Sequence, residues 1–195
     1  MAMPNTATFD NLLTKIVEPV LCDIHGFHRH EPASYAKEID NKLRRIVAFD
    51  FRPGRKKLRV MVGVNSVIHD EGCGLHLLRF FTGGSLSEAA HDIPAPTAEV
   101  TERFLHRFLP QLDVLIFPWL NKIDSLAALA DGLHDENLDY YRAQLYQADG
   151  RTMEAQRLAE TYKLRLARLL KANMISRQDC DRGREMADAL IASMD

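Results

Sequence analysis

Apolar positions change their period twice along this chain. Leu12, Leu13, Ile16, Val17, Val20, Leu21 and Ile24 recur at intervals of three and four, which gathers them on one face of a helix. Thr8 or Asp10 is placed to cap its start, because a short side-chain oxygen accepts from the free backbone N–H groups there. Pro19 lies inside the pattern and predicts a kink or break. Gly26 follows the last periodic residue, where a left-handed stop costs least without a Cβ.

Alternation by two takes over next. Val47, Phe49 and Phe51 fall on one side of "KLRRIVAFDFR", and Leu58, Val60, Val62 and Val64 on one side of "KLRVMVGVN". Pro53 and Gly54 lie between them, so the two runs predict an antiparallel hairpin. "DEGCG" predicts a second turn into a strand within "LHLLRFFTGG", and "SYAKEI" adds another, for a sheet of about four strands, near the usual size. Gly83, Gly84 and Ser85, with Glu88 three positions on, fit a capping box at a helix start.

From Thr97 onward the period is helical. Thr97 is a cap for a helix burying Val100, Phe104, Leu105 and Phe108; Pro118 interrupts the next apolar segment, and Asp124 precedes another helix. Ala155, Leu158, Ala159, Tyr162, Leu166, Leu169 and Leu170 form the inner stripe of a long helix, and Ser176 with Asp179 predicts the cap of the last one. The fold class is therefore α+β: an N-terminal helix, an antiparallel sheet, then a helical C-terminal half. The division falls near residue 95, giving a sheet region over 1–95 and a helical region packed on it over 96–195, or both within one domain.

Composition narrows the function classes. The 195 residues carry 25 basic and 27 acidic side chains, so no net field attracts nucleic acid or an anionic membrane. Cys22, Cys73 and Cys180 are odd in number and far apart, which argues against a disulfide framework. No secretion signal opens the chain, and its apolar runs fall short of the roughly 20 residues that span a bilayer. These features predict a cytoplasmic protein without membrane contact.

Two constellations carry candidate chemistry. Cys22, His25, His28 and His30 lie within nine positions and offer donors for a zinc-like metal. The bland alternative is a helix end passing into a strand. Lys42, Arg44, Arg45, Arg52, Arg55, Lys56, Lys57 and Arg59 make a basic hairpin, opposed by Asp50. Arg52, Arg55, Lys56, Lys57 and Arg59 could meet an acidic partner; edge charges also simply block sheet-to-sheet aggregation. Asp135, Glu136 and Asp139 form an acidic turn that could meet a basic one. No nucleophile elbow, zinc-helix motif or phosphate loop occurs, so the sequence predicts no catalytic residue and no cofactor.

"IVEPVLCDIHGFHRH", Tyr35 and the basic hairpin together resemble a bacterial family catalogued as domain of unknown function 4304. Its pattern matches at Ile16, Pro19, Leu21, Gly26 and Phe27, and "FPWLNKIDSLAAL" is similar to its region after the sheet, for a likeness over roughly residues 8–130. The resemblance implies no catalytic residue. Proteins of this architecture resemble immunity proteins, which bind bacterial toxins. The expectation is a non-catalytic protein-binding module, an immunity protein that occludes a cognate toxin. Two alternatives remain: a small metal-dependent hydrolase using His25, His28 and His30, and a nucleic-acid or nucleotide binder through the basic hairpin.

Overall fold

A computed structural model describes residues 5–67 and 77–194. Its backbone contacts gather the chain into two compact units, Met1–Asp124 and Ser125–Asp195. The helix that begins after Thr97 thus counts with the sheet.

The first unit opens with α1, Thr6–Leu12, capped by Asn5 rather than by Thr8 or Asp10. Asn5 Oδ1 accepts the Thr8 amide at 2.8 Å. The helix does not stop at Leu12 but widens into π-helical turns over Leu13–Val17 and Pro19–Ile24. The Glu18 amide reaches five residues back to the Leu13 carbonyl. A wider turn relieves the crowding that the Pro19 ring would impose on a regular helix. Leu13, Ile16, Val17 and Leu21 are buried, as the periodicity predicts, whereas Ile24 is 72% exposed. The extra residue per turn rotates it off the apolar face. Gly26 ends the run at φ +70°, with its amide on the Cys22 carbonyl and the Phe27 amide on that of Leu21.

Among the described residues seven strands follow: β1 His28–Glu31, β2 Ser34–Ile39, β3 Leu43–Arg52, β4 Lys57–Ser66, β5 Leu77–Phe81, β6 Leu86–Ser87 and β7 Ile93–Pro94. They run in the order β1-β2-β3-β4-β5-β6, with β7 on β4, and every pairing is antiparallel. The strand count exceeds the expected four because three short edge pieces join the sheet. The predicted turn "DEGCG" lies outside the described residues. The predicted capping box is a hairpin turn instead: Gly83 has φ +101°, the Thr82 amide donates to the Ser85 carbonyl at 3.0 Å, and Phe81 pairs with Leu86. No helix starts there.

One face of this sheet carries Tyr35, Val47, Phe49, Leu58, Val60, Val62 and Val64, all buried. Burying each such aliphatic side chain contributes about 1.5–3 kcal/mol. Helix α2, Ala98–Gln111, lies in the same unit and is capped by Thr97 as predicted. Its Phe108 meets Phe49 and Phe81 edge-on, with centroids at 5.4 and 5.3 Å. Beyond α2 the chain again widens into a π turn, Leu112–Ile116, and continues as α3, Phe117–Asn121. The Phe117 amide bonds to the Leu112 carbonyl immediately before Pro118. Pro118 therefore does not interrupt the helix; as at Pro19, a wide turn precedes the ring.

The second unit contains α4 Leu126–Gly132, α5 Asp139–Ala148, α6 Thr152–Lys171 and α7 Arg177–Ala192. Ser125, not Asp124, caps α4. Ser176 and Asp179 cap α7 as predicted, the Asp179 amide donating to Ser176 Oγ at 3.1 Å. In α6, Ala155, Leu158, Ala159 and Leu166 are buried, while Tyr162, Leu169 and Leu170 are partly covered.

Candidate anion-binding pocket

Sheet register places two cations where apolar residues are expected. On β3 the covered face reads Leu43, Arg45, Val47 and Phe49. On β2 the same face carries Tyr35 and then Lys37, and Lys37 lies directly opposite Arg45. Like charges directly opposite in an antiparallel pair destabilise it. Local rules broken in this way concentrate at functional sites.

Both side chains reach a pocket of about 370 Å³, lined by His25, Phe27, Lys37, Arg45, Asp113, Phe117, Pro118 and Asn121. Two of the π segments, Pro19–Ile24 and Leu112–Ile116, lead into its lining. The first ends at Gly26, leaving the His25 carbonyl pointing at Lys37, whose Nζ donates to it at 2.8 Å. A cation there also meets the negative end of the helix dipole. The second carries Asp113 and leads into Phe117 and Pro118. Arg45 Nη1 donates to Asn121 Oδ1 at 2.7 Å, which leaves the Asn121 amide nitrogen as a donor. Burial pulls the Arg45 guanidinium below its ordinary value, and the nearby Asp124 carboxylate opposes that shift. The group stays cationic, since arginine is not deprotonated in proteins.

Aromatic rings form the remaining wall. The His25 ring lies 4.3 Å from that of Phe117, centroid to centroid, and Phe27 lies 5.9 Å from Phe117. His25 Nε2 stands 3.7 Å from Asp113 Oδ1, whose side chain is 71% exposed at the rim. The pocket thus holds two fixed cations, one imidazole and one carboxylate.

Of the four proposed metal donors, only His25 lines this pocket. Cys22 is half-buried on the π-helical turn, and its thiol is pushed up by burial and by the Glu18 and Asp23 carboxylates. His28 and His30 are exposed on β1 with ring centroids 6.3 Å apart. Among the described residues, no three His, Cys, Asp or Glu side chains are grouped to hold one metal ion.

The basic hairpin is largely matched within the fold. Arg52 bonds Asp50 at 2.8 Å, Arg59 holds Asp92 with two nitrogens at 2.8 and 3.1 Å, and Lys57 reaches the same carboxylate at 3.3 Å. Asp92 is held below the usual carboxylate range, chiefly by the Arg59 hydrogen bond. Arg55 and Lys56 stay exposed at the tip, Lys56 in the left-handed region at φ +54°. In the acidic turn, Asp135 accepts the Asn137 amide at 2.8 Å and Glu136 is exposed. Asp139 is 5% exposed and bonded to Arg142 at 3.3 Å, leaving little of it to meet a partner.

Lys37, Asp113, Phe117 and Asn121 were not singled out by sequence pattern. The available signal was Arg45, a charge at an inward position of an otherwise apolar strand face. No helix among the described residues is long and apolar enough to cross a membrane. No family model, curated protein or solved structure matches this chain.

Proposed function

We propose that this protein is a non-catalytic binding module that takes an acidic group of a protein partner into the Lys37–Arg45 pocket. One observation carries the reading: two cations face each other across β2 and β3, at a position where the fold alone would favour apolar side chains. An incoming anion relieves their repulsion. It also gains charge-assisted hydrogen bonds in partly dehydrated surroundings, where such bonds are strongest. No nucleophile paired with a base lies among the lining residues, so the donors serve recognition. Occlusion of a toxin, the role that likeness of architecture to immunity proteins implies, is one form such recognition takes. The exposed tip cations Arg55 and Lys56 would speed the encounter with an acidic surface.

The chain has a single tryptophan, Trp119, within the helix that carries Phe117, Pro118 and Asn121. Its fluorescence is the readout for titration with a glutamate-rich peptide at low ionic strength. Saturable binding that weakens with salt and is lost in Arg45→Gln supports the proposal. Equal responses from wild type and Arg45→Gln would refute it.

A further inference from the structure

The pocket has two chemically different walls, and together they define a narrower ligand than any acidic group. We infer that it selects a monocarboxylate attached to a flat aromatic ring. This inference rests on the anion-binding reading above and specifies the ligand of that site.

The donor wall sets the head group. Lys37 has two ammonium hydrogens left after its bond to the His25 carbonyl. Arg45 keeps guanidinium donors beyond the one given to Asn121, and the Asn121 amide nitrogen stands beside them. A planar carboxylate accepts from several such donors at once. Charge limits its valence. Lys37 and Arg45 supply two positive charges, opposed by Asp113 at the rim and by Asp124 near Arg45. A single carboxylate meets the donors with one negative charge, whereas a phosphate dianion would bring two against both carboxylates.

The aromatic lining sets the body. Phe117 is flanked by the His25 ring at 4.3 Å and the Phe27 ring at 5.9 Å, with Pro118 beside it. Rings packed at about 4.5–7 Å between centroids gain energy beyond simple area burial. A ring bound in the pocket would join this cluster. The volume of about 370 Å³ lies at the small end of ligand pockets, which span about 300–1,000 Å³, and suits one ring with its carboxylate. The same chemistry occurs in a free aromatic acid and in the C-terminal phenylalanine or tyrosine of a partner protein.

The test compares five probes against the full chain by calorimetry: acetate, phenylacetate, inorganic phosphate, and two hexapeptides ending in phenylalanine, one with a free and one with an amidated C-terminus. Phenylacetate should bind at least about tenfold more tightly than acetate, a difference of about 1.4 kcal/mol, and phosphate more weakly than phenylacetate. Phe117→Leu should reduce the ratio of phenylacetate to acetate affinity at least about threefold. A free-ended peptide that matches phenylacetate, with the amidated form inert, assigns the site to a partner's C-terminus. Phenylacetate binding with both peptides inert assigns it to a free acid. Equal affinity for acetate and phenylacetate, or tighter binding of phosphate, overturns the aromatic monocarboxylate while leaving an anion site. If no probe distinguishes wild type from Arg45→Gln, the anion site itself falls.

Discussion

Lys37 on β2 and Arg45 on β3 are direct cross-strand partners on the helix-covered face of the sheet. Such partners have Cβ atoms about 4.5–5.5 Å apart, so their charges repel unless something negative joins them. The Asp124 carboxylate lies near Arg45, but the hydrogen-bond acceptors are neutral: Asn121 Oδ1 for Arg45 and the His25 carbonyl for Lys37. A pair retained for binding rather than for folding should be dispensable to stability. Arg45→Met should therefore change unfolding free energy by less than about 1 kcal/mol. Leu43→Ala, two residues away on the same face and 1% exposed, should cost about 2–5 kcal/mol. Urea denaturation of both variants checks this, and comparable losses would assign Arg45 to the fold.

Gly26 sets the angle at which the π-helical segment delivers His25 and Phe27 to the pocket. Its φ is +70°, and an added Cβ would meet Lys37 Nζ at 3.6 Å, an ordinary contact. The cost of Gly26→Ala is thus backbone strain and not collision, about 1–2 kcal/mol. Thermal unfolding should show that loss, whereas Gly54→Ala, with nothing within 4 Å and no left-handed requirement, should be nearly silent.

These two sites also mark what was legible in the chain. Gly26 stood out because a glycine after a periodic helix has a single common use. Strands β2, β3 and β4 were readable for a similar reason: their alternation matches a sheet with one face buried. β1 shows no such alternation, because all four of its residues are exposed, and only the reading of residues 22–30 as a helix end passing into a strand pointed to it. Residues 83–88 misled because Ser85 and Glu88 have capping-box spacing, while the backbone at Gly83 turns the chain into β6. The helix around Pro19 looked broken because periodicity counts assume regular turns; π turns carry the chain past the ring. The pocket was least visible. His25, Lys37, Arg45, Asp113 and Asn121 come together only through strand pairing and the return of the helix after Thr97, and spacing along the chain records neither.

Tyr35 is fully buried, and its hydroxyl has no hydrogen-bond partner among the described residues. Burial, reinforced by the Glu18 carboxylate, pushes its ionisation well above the ordinary tyrosine range. A buried hydroxyl left unpaired costs about 1–3 kcal/mol. Removing it by Tyr35→Phe, with the ring kept against Phe49 at 6.3 Å, should leave stability unchanged or raise it by up to about 1 kcal/mol. A comparable loss on chemical denaturation would mean that the hydroxyl is satisfied in solution.

Two carboxylates should give opposite pH signatures. The folded state holds Asp92 below its ordinary value, first through the Arg59 hydrogen bond. Its contribution is complete above the usual aspartate value, near about 4, and is lost as pH falls through the lower folded value. Asp139 is raised, mainly by burial and against the pull of Arg142. Its charged form is penalised in the fold, and that penalty disappears as pH falls through the raised value. Unfolding curves from pH 6 to pH 2 should show Asp92→Asn losing part of the acid-side decline. Asp139→Asn should compare more favourably with wild type at pH 6 than at pH 3.

The most direct measurement follows the side-chain amide resonances of Asn121 by heteronuclear NMR during titration with acetate at constant ionic strength. Saturable shifts of those resonances are expected, joined by the Arg45 guanidinium and absent in Lys37→Met. Shifts spread evenly over the surface basic residues, with Asn121 and Arg45 unmoved, would contradict it.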